Sequence, residues 1–135
     1  MIGEYKEKLP SGSGELIVSS GSWNIQYYFP GIDSRYNGTF IRIKREAIDN
    51  YINAFKNNWI MYNSVKEKTA NLGGEIKLKG EMDMTINIGG HHDGVCIQSY
   101  HMPLNTEEKI NKIISDYCWA KERAEIILVV LKELN

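Results

Sequence analysis

ELIVSSGSWNIQYYF, residues 15–29, decides the class of fold. Its two halves, Glu15–Ser19 and Trp23–Phe29, are rich in β-branched and aromatic residues and enclose Ser20-Gly21-Ser22, the pattern of a hairpin. Strands joined by so short a turn run antiparallel. Pro30-Gly31 ends the second strand, and Asp33 to Gly38 is a polar loop. Thr39–Lys44 then reads as a third strand, with Ile41 and Ile43 on one face and Phe40, Arg42 and Lys44 on the other.

Beyond this hairpin the period changes from two to 3.6. Ile48, Tyr51, Ile52, Phe55, Trp59, Tyr62 and Val65 have amphipathic-helix spacing, from about Arg45 until Gly73-Gly74 breaks the run. Glu75–Lys79 and Met82–Ile88 read as further strands, and a turn at Gly89–Gly94 leads into Val95–Tyr100. A last helix is expected from the Thr106 N-cap to about Glu133, with Glu107 and Glu108 favourable at the positive end of its dipole. Its stripe is Ile110, Ile113, Ile114, Tyr117, Ala120, Ala124, Ile127, Leu128 and Leu131. After Ala124 the stripe widens to include Ile126, Val129 and Val130, more apolar surface than one sheet contact needs, which suits either a deeply buried helix or, the reading favoured, a subunit interface. The expected architecture is α+β: one domain, 1–135, with an antiparallel sheet of about six strands and two amphipathic helices.

The bulk numbers remove several classes of function. Sixteen basic residues against seventeen acidic ones, in 135 residues, give no global attraction to nucleic acid or anionic lipid. The polar N-terminal stretch is not that of a signal peptide, and the apolar run Ile126–Leu131 is too short to span a bilayer, so a soluble cytoplasmic protein is expected. Cys96 and Cys118 stand outside any CxxC unit and read as small buried thiols.

The densest chemistry lies in Gly89-Gly90-His91-His92-Asp93-Gly94. Adjacent histidines in a strand point to opposite faces and cannot share a metal, and neither H-x-H nor H-E-x-x-H spacing occurs. The turn is therefore either a solvated hairpin tip or one wall of a ligand site whose glycines admit close backbone approach. No G-x-S-x-G elbow, Walker A loop or dinucleotide fingerprint is present. Glu81 and Asp83 form a carboxylate pair on one strand face, read most simply as a solvated charge pattern beside Lys77 and Lys79. No catalytic residue, metal or cofactor is expected.

Only four of the basic residues are arginine: Arg35, Arg42, Arg45 and Arg123. Arg42 and Arg45 flank an uncapped helix start, where either an anion or a carboxylate would satisfy both the arginines and the orphan N–H groups. Lys121 falls inside the apolar stripe of the last helix and must snorkel, pair or meet a ligand; Trp119 and Arg123 flank it. Arginines near aromatics suit a nucleotide, with forks for phosphate and rings for the base. The ligand-binding set expected on these grounds is Arg42, Arg45, Asn87, Gly89, Gly90, His92, Tyr100, Trp119, Lys121 and Arg123.

In size, order of strands and helices, apolar surface on the last helix and sparse arginines beside aromatics, the chain resembles the phage Thoeris anti-defence proteins of the first type. That resemblance implies a small antiparallel sheet with two helices, assembly into dimers or larger oligomers up to hexamers, and residence in the host cytoplasm. It also implies sequestration of cyclic ADP-ribose-type signals or cyclic oligonucleotides without catalysis. Two other readings stand beside it. One is a protein-binding inhibitor such as a toxin immunity protein, with Tyr27, Tyr28 and Tyr36 at its interface. The other is a small hydrolase or lyase using His91, His92 and Asp93.

Overall fold

A computed structural model describes residues 3–134; Met1, Ile2 and Asn135, inside the expected domain 1–135, lie outside it. The class is α+β, but the strands form two antiparallel sheets rather than one sheet of about six. The first is a four-stranded meander of β1 (Tyr5–Lys8), β2 (Gly14–Ser19), β3 (Ser22–Phe29) and β4 (Thr39–Lys44). A 3-10 turn, Arg45–Ala47, leads into α1 (Ile48–Lys68). The second sheet has three strands, β5 (Ile76–Lys79), β6 (Thr85–Ile88) and β7 (Gly94–Cys96), and α2 (Glu107–Glu133) ends the chain.

The quoted hairpin folds as its alternation requires. Ser19 pairs with Ser22 across a Ser20-Gly21 turn in which Gly21 takes φ +80°, a conformation open to glycine. Leu16, Val18, Trp23, Ile25, Tyr27 and Phe29 all point inward and are buried. On β4, Ile43 is buried while Phe40, Arg42 and Lys44 face solvent. Strand β1 was not expected from its charged sequence. Its two lysines and one glutamate are charges of the kind that guard a sheet edge against further pairing, and β1 is such an edge.

Helix α2 packs on β2 and β3, and α1 packs on α2 and on β6 and β7. Tyr117 of α2 joins these layers, edge-on to Tyr27 of β3 at 5.2 Å and to Phe55 of α1 at 5.9 Å between ring centroids. Such pairs each contribute about 0.5–1.5 kcal/mol beyond the area they bury. Thr106 caps α2, its Oγ1 accepting from the Lys109 N–H at 3.2 Å, whereas α1 starts at Ala47 with no side-chain cap.

The sheets separate because α1 intervenes between β4 and β5 and its far face covers the second sheet. They are tied by the segment after β7. Pro30 cannot donate a ladder bond, but its carbonyl accepts from the Met102 N–H at 3.0 Å, and the Ile32 N–H donates to the Tyr100 carbonyl at 2.8 Å. Two residues beyond Met102, Leu104 pairs with Val95 of β7. The connection thus extends both sheets and shortens β7, which was expected to run to Tyr100; the chain turns away after Cys96. Likewise β6 begins at Thr85 and not at Met82, because residues 80–84 form a turn, so Glu81 and Asp83 do not share a strand face. Cys96 is buried as expected, but Cys118 is exposed, on the solvent side of α2. Among the described residues no helix is long and apolar enough to cross a membrane.

Candidate functional site

The glycine–histidine turn joins β6 to β7 in the register Asn87 opposite Gly94. Gly89, Gly90 and Gly94 have φ of +85°, +73° and +140°, which L side chains rarely adopt. A Cβ on Gly94 would stand 2.8 Å from the Leu104 carbonyl oxygen. The close approach that the glycines permit is therefore, at Gly94, to the neighbouring chain. Asp93 closes the turn: one carboxylate oxygen accepts from the Gly89 N–H at 2.6 Å and the other from the Tyr62 hydroxyl of α1. Burial, then this bond to Asp93, pushes the Tyr62 phenol above its usual range. Asp93 is thus a latch. His91 is exposed and His92 half-buried. Among the described residues no three His, Cys, Asp or Glu side chains are grouped to hold a metal ion. Burial also raises the Cys96 thiol, which donates to the His92 carbonyl at 3.2 Å, so it is not an activated nucleophile.

Two hollows meet at this turn, sharing His91, His92 and Ser99 as walls. The first, about 580 Å³, runs over the second sheet past Lys77, Thr85, Asn87 and Gln98. The second, about 610 Å³, lies between the turn and the loop after β3, bounded by Asp33, Arg35, Tyr36 and Tyr100. Both fall within the usual size of a small-molecule site. Tyr36 and Tyr100 stack with centroids 6.2 Å apart and planes at 24°, and the Arg35 guanidinium lies 5.6 Å from the Tyr36 ring centre. Asp33 holds Arg35 by Nη2–Oδ2 at 2.7 Å and Nε–Oδ1 at 3.2 Å. The pairing lowers the Asp33 carboxyl and raises the guanidinium. Both side chains are solvated, and such a pair holds its partners weakly. An incoming anion can therefore compete for the arginine. In and beside the turn, His92 Nδ1 and Asn87 Oδ1 are buried without a hydrogen-bond partner among the described residues.

Of the residues expected from sequence, Asn87, Gly89 and His92 line the first hollow, and His92 and Tyr100 the second. Gly90 is in the same turn, but its Cα faces the Glu75 side chain. The remaining five lie elsewhere. Arg42 is on the solvent face of β4. Arg45 is bound to Glu125 at 2.9 Å, Lys121 to Asp49 at 2.7 Å and Arg123 to Glu7 at 2.9 Å. These pairs reach from α2 to the 3-10 turn, α1 and β1, and, like the Asp33–Arg35 pair, they are largely solvated. Arg123 also lowers the Glu7 carboxyl below its usual range. Trp119 is half-buried against the core. Arg35 and Tyr36, which were not among the expected residues, place a charge and a ring at the second hollow. The local signal for them is the Asp33-x-Arg35-Tyr36 run in a polar loop, which positions a cation over its neighbouring ring.

No protein-family model, no curated protein and no solved structure matches the chain.

Proposed function

We propose that the protein binds and sequesters a small phosphorylated nucleotide signal at the paired hollows around His91 and His92, without breaking a bond. The reading is carried by the Arg35–Tyr36–Tyr100 group beside that turn. Stacked phenols offer a face to a base, and a guanidinium held only by a solvated carboxylate offers a fork to a phosphate. His91, Asn87 and Ser99 add polar groups around ribose-sized space. The likeness in outline to Thoeris anti-defence proteins favours a cyclic ADP-ribose-type ligand or a cyclic oligonucleotide. On the same reading the molecule acts as an oligomer, a dimer or larger, in the host cytoplasm. Ile126, Val129 and Val130, each about half exposed or more at 59%, 59% and 49%, would cover one another at the subunit contact.

The test is mass spectrometry of small molecules released by heating the purified protein, with thermal shift against cyclic ADP-ribose. An intact nucleotide is expected, and the double variant Arg35→Ala, Tyr36→Ala should lose at least about tenfold in affinity, the scale of one charge-assisted contact. Recovery of a cleaved product would instead indicate an enzyme.

A second reading, a protein-binding inhibitor, is favoured by the exposed cross-strand pair Tyr28 and Phe40, with ring centroids 5.3 Å apart on the solvent face of the first sheet. Tight one-to-one binding to a protein, with no thermal response to nucleotides, would favour it.

A further inference from the structure

Alternation gives the first sheet two faces of opposite character. Its inner face, with Leu16, Val18, Ile25 and Phe29 buried, packs against α2. On its outer face no strand residue is buried. The register lays that face out in rows. Tyr28 stands opposite Phe40, Gln26 opposite Arg42 and Asn24 opposite Lys44. On β1, Lys8 stands opposite Glu15 and Lys6 opposite Ile17. Strand β4 thus presents Phe40, Arg42 and Lys44 in line, at steps of about 7 Å.

Both the rings and the charges of this face are accessible. Phe40 is 59% exposed and Tyr28 39%. Their planes are inclined at 55°, so neither ring is closed off by stacking on the other. Lys6, Lys8, Arg42 and Lys44 are all exposed. Among the described residues Lys8, Arg42 and Lys44 are in no salt bridge, and Lys6 meets only the solvated Glu4, at 3.4 Å. Four cations therefore accompany two carboxylates, Glu4 and Glu15, in a chain whose net charge is −1. The near-neutral total conceals a positive face.

Exposed rings set among cations suit a polyanion that carries π-faces. A protein partner fits less well, because interface patches are poor in lysine and three of these four cations are lysines. The bases of a duplex are stacked on one another, whereas a single strand can splay a base onto a ring. We infer that the outer face of the first sheet binds single-stranded nucleic acid without sequence preference, a base stacking on Phe40 and the adjoining phosphates meeting Arg42 and Lys44. The face shares no residue with the two hollows at the histidine turn, so the inference stands apart from the nucleotide reading.

Fluorescence anisotropy on the full chain tests it with two labelled strands of about 12 nucleotides, a length within the usual site size: oligothymidylate, and an abasic strand with the same phosphates and no bases. Oligothymidylate should bind, and the abasic strand at least about tenfold more weakly. Phe40→Ala should cost oligothymidylate the same factor and leave the abasic strand unchanged. Should Phe40→Ala fail to fold, Phe40→Leu keeps an apolar side chain without a ring and must show the same loss. Arg42→Gln with Lys44→Gln should flatten the slope of log affinity against log salt by about 1.4, the release expected from two phosphate contacts. Equal affinity for the two strands, or Phe40 variants without effect, overturns the proposal. Loss of oligothymidylate binding in the Arg35→Ala, Tyr36→Ala variant would put the strand at the second hollow and overturn it as well. No binding of either strand at about 50 mM salt overturns it and leaves the face to a protein partner.

Discussion

His101 illustrates how one side chain can join two parts of a protein and burden both. It is 1% exposed, both ring nitrogens lack partners among the described residues, and it stacks on Phe29 with centroids 6.2 Å apart where the connection after β7 meets the end of β3. Burial lowers its pKa from the ordinary histidine range. Above about pH 6.5 both the folded and unfolded chains hold the ring neutral. As pH falls through that range the unfolded chain takes up the proton first, so stability declines until the folded-state ring titrates as well. His101→Leu keeps an apolar contact and removes the proton. Urea midpoints of the unaltered protein should therefore fall between pH 7 and pH 5 more steeply than those of the variant. Parallel curves would show that other groups govern the acid response. Nothing in the tripeptide Tyr100-His101-Met102 marks the histidine as buried. The signal arises only when Gly31 pairs with it across the fold.

Among the elements, α2 is tied to the first sheet through one buried carboxylate. Asp116 is 2% exposed and accepts from the Ser11 backbone N–H at 3.2 Å, from the Ser11 hydroxyl and from the Tyr27 hydroxyl at 2.9 Å. One helical carboxylate thereby fixes the β1–β2 turn and the middle of β3. Burial, and then the Asp116 charge, pushes the Tyr27 phenol far above its usual range, so it remains a donor. Asp116→Ala leaves these donors facing an apolar gap and should cost about 2–3 kcal/mol, the scale for bonds to a charged group. Asp116→Asn should cost less, because one acceptor survives. Chemical denaturation of the two variants orders them; equal losses would mean that volume rather than hydrogen bonding dominates. The helices and the β2–β3 hairpin were legible because their apolar period repeats over many residues. Strands β1, β6 and β7 were not read accurately. They are three or four residues long, and Asn58 and Leu104, both distant in the chain, bind in the turn before β6 and on β7.

At the scale of the whole molecule, the expected ligand residues divided according to whether their neighbourhood is local. Asn87, Gly89 and His92 were found together because one turn carries them. Arg45, Lys121 and Arg123, expected at a ligand, instead pair with Glu125, Asp49 and Glu7, which reach them from other elements; a carboxylate partner was the alternative that the sequence left open for Arg45 and Lys121. The apolar end of α2 was legible as surplus, and Ile126, Val129 and Val130 there are exposed, the face on which the proposed oligomer rests. Ile126→Glu would bury a carboxylate in a subunit contact at this face and should weaken association by at least about tenfold, shifting native mass toward a single chain. A single-chain mass for the unaltered protein at tens of micromolar would remove the oligomer from the proposal.

The packing of α2 on β2 and β3 also sets an order of events during synthesis. The first sheet is complete at Lys44, yet the helix that covers its inner face begins at Glu107. At roughly 5–20 residues per second, ribosomes leave that apolar face uncovered for several seconds. During that interval Leu16, Ile25 and Phe29 must be shielded by something other than their native partner, and the charged edge strand β1 is then the nascent chain's built-in protection against pairing with its neighbours on the same message.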